Sequence, residues 1–378
     1  MSKRVGIFGM TLAGFLLAVD YVDKGYEVDL YDNSPNKQGQ RFVRNIICKN
    51  PIEVHKEDIC VIAVTQKNNI ESIENQLIEY GCTNIVVPTE NDIQKIKHSI
   101  SDEDYLKCFW LSSMDYELNL DNPKTICEKL QWLKLYYRKP EFSKLVDKYE
   151  MKSYLGTLIG EEYIIPLLGV WDSVDEIDLD TLPEQFVLKC NHNSGSYVVC
   201  KDKKIFDFEA AKKILSDGMK ENYFYSCREY PYKNVVPKII AEKYIDSLGN
   251  DDSVEYKVTC FNGKVDFVTF CKGPAHQSLD VRFNDHYDLD FNKMPWYAEY
   301  KPSGINYKKP EQWDEMIRIS EIIAKDIPYL RVDFYIIDNR LYFGEATFYT
   351  WAGFMNFQPK EWDLKLGEKI KLPDKCIE

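Results

Sequence analysis

Four side chains near the C-terminus have types and spacing suited to phosphate and metal chemistry. Residues 330–348, LRVDFYIIDNRLYFGEATF, alternate Leu330, Val332, Phe334 and Ile336 with Arg331, Asp333 and Tyr335, the period-two pattern of a half-buried strand. A turn at Asp338-Asn339-Arg340, with Asn339 left-handed, folds the stretch into a hairpin that sets Asp333 opposite Glu345 and Arg331 opposite Thr347. Acids facing each other on neighbouring strands repel, and a bound cation would offset that cost. A solvated face on which Arg331 neutralises both acids is the alternative, and the hairpin alone leaves both open. If the acids hold a metal, replacing either one removes a ligand and relieves repulsion, so the fold should survive.

A second stretch, QFVLKCNHNSGSYVVC, is a strand ending in Lys189, a polar loop with Gly195, and a returning strand. A lysine leaving a buried strand beside small residues can reach an anion while loop N–H groups, Ser194 and Ser196 cover it. An ordinary hairpin whose lysine reaches solvent is the bland counterpart, with His192 a surface hydrogen-bonder. VDKYEMKSYL puts Lys148 at the start of a helix. IIAEKYI is an apolar strand running into Glu242, Lys243, Tyr244 and Ile245 and then the turn DSLGNDD, the form of a segment that edges an adenine ring with backbone groups. Near the N-terminus, GIFGMTLAG sets Gly9, Thr11 and Gly14 where a dinucleotide loop has three glycines, and Asp32 closes the next strand. Thr11 in place of the middle glycine weakens the case for NAD, although its hydroxyl and the helix N-terminus could hold a phosphate or carboxylate.

The elements that must position these groups fall into two classes. Residues 3–90 alternate strand and helix in the α/β manner, predicting a Rossmann-like parallel sheet over residues 1–95. The polar stretch NDIQKIKHSISDEDY predicts a linker over 96–122. Helices dominate from Pro123 to Leu155, broken at Pro140, and α+β text follows, so 123–378 reads as one larger domain. The 378 residues are 44% hydrophobic and 29% charged, enough for two or three real cores. A net charge of −13 argues against broad nucleic-acid or anionic-membrane binding. No apolar run is long enough for an integral membrane segment, and no signal-peptide pattern opens the chain, so a cytoplasmic location is expected. Eleven cysteines, scattered singly without a CxxC pair, suggest neither a zinc ribbon nor a disulfide framework.

Taken in order, Lys148, Lys189, the EKYI hinge and the Asp333/Glu345 hairpin resemble the motif series of the ATP-grasp superfamily. Similarity to its TupA-like branch, named after teichuronopeptide biosynthesis, runs further, from about Asn119 to Leu366. It is carried by NPKTICEKLQWLKLYYR, LVDKYEMKSYL, GEEYIIPLLGVWDSVDEID, LPEQFVLKCNHNSGS, REYPYKN, IIAEKYI, YKVTCFNGKV, YDLDFNKMP, LRVDFY and YFGEATF followed by EWDLKLGE. The resemblance implies an ATP-grasp fold of two α+β subdomains gripping ATP behind the Rossmann-like domain.

It also implies roles. Lys148 and Lys189 would grip the ATP phosphates under a lid formed by Asn191, Ser194, Gly195 and Ser196. Glu242, Lys243, Tyr244 and Ile245 would form the adenine hinge, with Asp252 or Asp251 on the ribose. Asp333, Glu345 and Thr347 would hold Mg²⁺, Thr347 standing where many ATP-grasp enzymes have asparagine. Arg331 would steady the transferring group, with Lys189 and Lys257 beside it. Arg228, Lys257 and Arg282 are candidates for the acceptor carboxylate, and Tyr287, Trp296 and Trp351 for covers that exclude water; His276 and His286 are weaker candidates for proton transfer. The implied activity is ATP- and Mg²⁺-dependent ligation of a carboxylate, on a small molecule or saccharide, to an amine. A homo-oligomer is compatible with this. A kinase that stops at phosphoryl transfer, and a nucleotide-sugar or NAD-binding protein acting through GIFGMTLAG, are the rivals.

Overall fold

The computed structural model describes residues 3–114, 116–245, 254–273 and 281–377, and the chain divides into two compact units, 1–119 and 120–378. In the first, five parallel strands (Arg4–Phe8, Glu27–Tyr31, Cys48–Lys49, Ile59–Ile62 and Ile85–Val86) form a sheet in the order third, second, first, fourth, fifth. Val5, Ile7 and Phe8 of the first strand are buried, as are Leu30, Tyr31, Cys60 and Ile62, the near-continuous apolar text expected of parallel strands.

Of the linker expected over residues 96–122, the part up to Met114 is mostly helical. Helices span Glu90–Ser99 and Asp102–Met114, each opened by a hydroxyl cap: Thr89 accepts from the Asp92 N–H, and Ser101 from the Asp104 N–H. Tyr105, Leu106, Cys108, Trp110 and Leu111 are buried, and this second helix packs on the helix Leu12–Asp23. The polar residues that suggested a linker occupy the outer faces of two amphipathic helices, so the unit ends near Asn119 instead of residue 95.

The second unit contains two large antiparallel sheets and a two-stranded one that pairs Tyr297–Ala298 with Phe357–Gln358. Of the first two, the smaller runs Leu167–Trp171, Ile239–Lys243, Phe186–Cys190, Tyr197–Cys200; the larger runs Phe283–Asp288, Lys264–Lys272, Val254–Phe261, Tyr329–Ile337, Arg340–Thr347. Phe186, Leu188, Cys190, Ile239, Ala241 and Leu215 close the core of the small sheet under the helix Phe208–Met219. On the large sheet the helix Trp313–Ile323 buries Trp313, Met316, Ile319 and Ile323, with an apolar residue roughly every turn. All eleven cysteines are free thiols. Among the described residues, no helix is long and apolar enough to cross a membrane.

The C-terminal hairpin keeps the expected pairs by a different device. The turn has two residues, Asp338 and Asn339, both left-handed (φ 49° and 60°), so Ile337 pairs with Arg340. The extra residue is spent at Gly344, a bulge that restores Asp333 opposite Glu345 and Arg331 opposite Thr347. Because side chains alternate with period two, the bulge also switches faces. Leu341 and Phe343 are buried before it, Ala346 and Phe348 after it, and Glu345 and Thr347 are thereby turned away from the core.

Candidate active site

One face of the large sheet carries a largely buried chain of alternating charges. Asp333 is 0% exposed and receives Arg331 through two bonds of 2.7 Å, Nε to Oδ1 and Nη2 to Oδ2. Lys257, opposite Asp333 on the neighbouring strand, donates to Oδ2 of the same carboxylate. Lys257 also lies 3.0 Å from Glu255 Oε2, which pairs with Arg282 at 2.7 Å, while the Tyr335 hydroxyl donates to Glu255 Oε1 at 2.8 Å. These cations hold the Glu255 carboxyl at about 2 against the effect of burial. The repulsion between the two hairpin acids is therefore offset in the fold by Arg331, which also reaches Glu345 at 3.2 Å. Glu345 itself is 51% exposed. The two acids are unequal: loss of Asp333 would leave the nearly buried Arg331 and Lys257 short of a counter-charge, so the fold is expected to tolerate replacement of Glu345 better than replacement of Asp333.

The phosphate-gripping candidates gather around a second buried acid. Glu242 lies on the strand next to the one carrying Lys189, and its two oxygens are taken by Lys189 (2.5 Å) and Lys152 (2.7 Å). Burial alone would raise the Glu242 carboxyl, but the two lysines hold it below its ordinary value. Lys152, four residues after Lys148 on the helix Glu150–Ile159, was not anticipated; the i, i+4 spacing was the available signal. Lys148 occupies the turn before that helix and donates from Nζ to the Asn193 carbonyl at 2.6 Å. Burial, with Lys189 adding, pushes its ammonium down to about 8, and the fields of Glu345 and Glu242 oppose this. Lys148 thus lies within electrostatic reach of both the hinge acid and the hairpin acid.

The loop after Lys189 divides into a fixed and an exposed part. Asn191 is fully buried, with Nδ2 donating to Asp147 Oδ1 (2.9 Å) and the Val236 carbonyl (3.0 Å) and Oδ1 accepting from the Lys238 N–H (2.7 Å). Its amide is engaged in holding strand ends together, which corrects its assignment to a lid. His192 is buried as well, Nε2 lying 3.1 Å from the Gly218 and Glu221 carbonyls, so it is not a surface group. Ser194 and Gly195 are exposed, Gly195 at φ 95° with open space around it, and Ser196 Oγ accepts from Asn193 Nδ2 at 2.9 Å.

At the hinge, Lys243 is exposed, Tyr244 buried, and the Lys243 N–H donates to the Pro166 carbonyl at 3.1 Å. Asp251, Asp252 and His276 lie outside the described residues. Arg228, at φ 57°, is buried over the rings of Phe224 and Tyr225, which is not the placement of a free anion receptor. Its neighbour Glu229 went unremarked in the sequence. Burial raises that carboxyl to about 7, with Lys134 opposing and Glu345 adding, so it borders the same site. His286 is buried, stacked on Trp296 at 3.8 Å and bonded through Nδ1 to Thr269 Oγ1; desolvation holds the ring neutral, with a pKa of about 3. Tyr287 and Trp296 are core residues, and Trp351 is exposed.

In the N-terminal unit the dinucleotide-like loop is closed on itself. Thr11 Oγ1 donates to the Ala63 carbonyl at 2.6 Å and accepts from the Gly14 N–H, so its hydroxyl is not directed to a ligand. Asp32 accepts from the Met10 and Ser34 N–H groups. A Cβ at Gly14 would come within 2.2 Å of the Gly9 carbonyl oxygen; that glycine serves close helix–strand packing.

A family model described as TupA-like ATPgrasp matches residues 128–371, about two thirds of the chain. A search of curated proteins found no match. Among solved structures, N5-carboxyaminoimidazole synthetase from Staphylococcus aureus complexed with ADP is 16% identical with a TM-score of 0.34, over 99% of this chain and 80% of that one. D-alanine–D-alanine ligase from Bacillus anthracis complexed with ATP is 14% identical with a TM-score of 0.30, over 92% and 86%. At such scores the assignment rests on the family match, whose span contains Lys148, Lys189, Glu242, Arg331, Asp333 and Glu345 together: the chain belongs to the TupA-like ATP-grasp family of enzymes.

Proposed function

We propose that this chain is an ATP- and Mg²⁺-dependent ligase that joins a carboxylate to an amine through an acylphosphate. What supports this is a pair of charge clusters, Lys152 and Lys189 on Glu242 and Arg331 and Lys257 on Asp333, with Glu345 and Glu242 both acting on the Lys148 ammonium. Lys148 and Lys189 bind the phosphates, the loop tip with its exposed Ser194 and Gly195 and the half-buried Ser196 closes over them, and backbone groups of residues 242–245 receive adenine. Asp252 is the proposed ribose acid.

The donor set fits a hard divalent cation. Glu345 is accessible, Asp333 Oδ1 accepts from Arg331 Nε and keeps a further lone pair, and Thr347 stands opposite Arg331, so oxygen ligands on one sheet face would make up half a shell. Glu345, Asp333 and Thr347 would hold Mg²⁺, which when bound neutralises charge on the terminal phosphates. The remaining tasks fall to the protein. Phosphoryl transfer needs alignment and charge compensation and no protein nucleophile, so Arg331 and Lys257, locked by Asp333, present fixed positive charge to the transferring group. An acceptor carboxylate oxygen attacks the γ-phosphorus and ADP leaves. The amine nitrogen then attacks the acyl carbon, phosphate departs with the carboxylate oxygen, and the amine proton passes to solvent. Water has to be excluded while the acylphosphate exists.

The branch to which the family model refers favours a sugar carboxylate such as a uronic acid, or an amino acid, in surface-polysaccharide synthesis. The test is a screen of uronates and amino acids against a panel of amines, read by phosphate release and by mass spectrometry of products. Amine-dependent ADP release with an amide product is expected. A stable phosphorylated acceptor would instead identify a kinase, and tight NAD or nucleotide-sugar binding without ATP turnover would move the activity to the N-terminal unit.

A further inference from the structure

Residues 228–234, REYPYKN, form a largely buried turn that one helix holds beside the hairpin. Glu229 opens the short helical turn Tyr230–Tyr232, and the Tyr232 N–H donates to the Glu229 carbonyl at 3.1 Å. The helix Ser143–Val146 packs on both this turn and the hairpin strand Arg340–Thr347, and Phe142, just before that helix, meets Phe348 with ring centroids 4.7 Å apart. Glu229 is only 6% exposed, yet among the described residues no hydrogen bond or ion pair reaches its carboxyl. A buried acid without a contact is costly unless something completes it.

The neighbouring cations are committed elsewhere. Lys134 is fully buried and donates to the Ala352 carbonyl at 2.7 Å, acting on Glu229 from beyond ion-pair contact. Arg331 gives two bonds to Asp333 and reaches Glu345. In number the cations Lys134, Arg282, Lys257 and Arg331 match the acids Glu229, Glu255, Asp333 and Glu345, so Glu229 is marked by the lack of a contact and not by surplus charge. Two half-buried phenols flank it, Tyr223 and Tyr232, whose rings meet edge to face with centroids 4.8 Å apart. Burial raises both phenols, and the charges of Glu229 and Glu345 add to this, so both hydroxyls lie near the two acids and stay protonated. The side-chain oxygens of Glu229, Tyr223 and Tyr232 carry no bond among the described residues and are not sealed from solvent, so they face open space.

We propose that Glu229, flanked by the Tyr223 and Tyr232 hydroxyls, is an ammonium subsite, where the amine partner of the ligation binds through its charged nitrogen. The occupant is called the amine because of the ligase assignment above. A carboxylate and two phenol oxygens can accept all the N–H groups of an ammonium, and phenol rings favour a cation. The same acid repels the carboxylate partner, which keeps the two substrates apart. Burial disfavours the charge on Glu229, and an arriving cation restores it. Glu229 and Tyr232 both lie in the field of Arg331, the cation assigned to the transferring group, so an amine held here stands close to where the acylphosphate forms.

The test uses the full chain saturated with Mg²⁺ and a non-hydrolysable ATP analogue, with propylammonium as probe and propanol and propionate as controls of the same length. Saturation-transfer difference NMR should show propylammonium bound and both controls not. Glu229→Gln, which keeps the shape and removes the charge, should weaken the propylammonium response roughly tenfold. Should that variant not fold, the double variant Tyr223→Phe/Tyr232→Phe keeps the acid and both rings, and the response should fall about threefold. A silent propylammonium, a response shared by propionate, or one that these variants leave unchanged overturns the subsite; the last would mark general attraction to an acidic surface. If Glu229 only balances Lys134, Glu229→Gln lowers the melting temperature and leaves the response in place, which also overturns it. Since binding is read without turnover, an ammonium held at Glu229 in a protein forming no amide refutes the ligase, and an amide-forming protein that fails here refutes only the subsite.

Discussion

Asp333→Asn and Glu345→Gln remove one negative charge each from facing positions of one hairpin, yet they should behave oppositely in stability. Asp333 is fully buried and takes bonds from Arg331 and Lys257. An asparagine there keeps the shape but leaves two nearly buried cations short of a counter-charge, a loss of about 3–5 kcal/mol if the pair behaves as a broken buried one. Glu345 is half exposed and touches Arg331 at 3.2 Å, an ion pair in the class worth about 0–1 kcal/mol. For a unit of this size 1 kcal/mol corresponds to roughly 2–4 °C, so Asp333→Asn should lower the melting transition of the C-terminal unit by roughly 6–20 °C and Glu345→Gln by no more than about 4 °C. Differential scanning calorimetry on both variants without nucleotide reads this directly. Equal melting temperatures would refute the buried charge chain, because the two substitutions differ only in what surrounds them.

Three further outcomes follow from the same geometry. Phosphate oxygens favour the charged Lys148, so nucleotide binding should take up a proton above pH 8, where the free ammonium, held down by burial and Lys189, begins to be lost. ATP affinity should then fall as pH rises beyond 8, by up to about tenfold per unit, and Lys148→Met should flatten the profile in isothermal titration. Lys152→Met leaves Glu242 to Lys189 alone, drawing that lysine away from phosphate; ATP affinity should drop roughly tenfold, and an unchanged Kd would show that Lys152 only braces the helix. Chelation by EDTA should stop ADP release and added Mg²⁺ restore it, with Glu345→Gln raising the Mg²⁺ requirement roughly tenfold or more.

The hairpin shows how far sequence reasoning reached and where it stopped. Alternation and turn residues were enough to pair Asp333 with Glu345, because any one-residue adjustment between them gives that register. They could not say whether the odd residue lay in the turn or at Gly344, since a bulge depends on crowding against Tyr335. Lys189, the hinge strand and most strands of the two large sheets were legible as apolar runs, whereas the edge strands Leu167–Trp171 and Phe283–Asp288 were not. Lys152 and Glu255 were not, because a buried ion looks in sequence like any surface charge until its partners are known. Asn191 was misassigned for the related reason that loop amides satisfy backbone as often as ligands. The linker failed because residues 91–105, the stretch that suggested it, bury only Ile96 and Tyr105, so two helices look hydrophilic there.

Transfer of a carboxylate oxygen to phosphate is the most direct mark of the chemistry assigned to this site. With the carboxylate that supports turnover labelled in both oxygens with ¹⁸O, and with MgATP and the amine, one ¹⁸O should appear in the released phosphate and one in the amide. Phosphate free of label, or label retained in a stable phosphorylated acceptor with no amide, would contradict ligation through an acylphosphate.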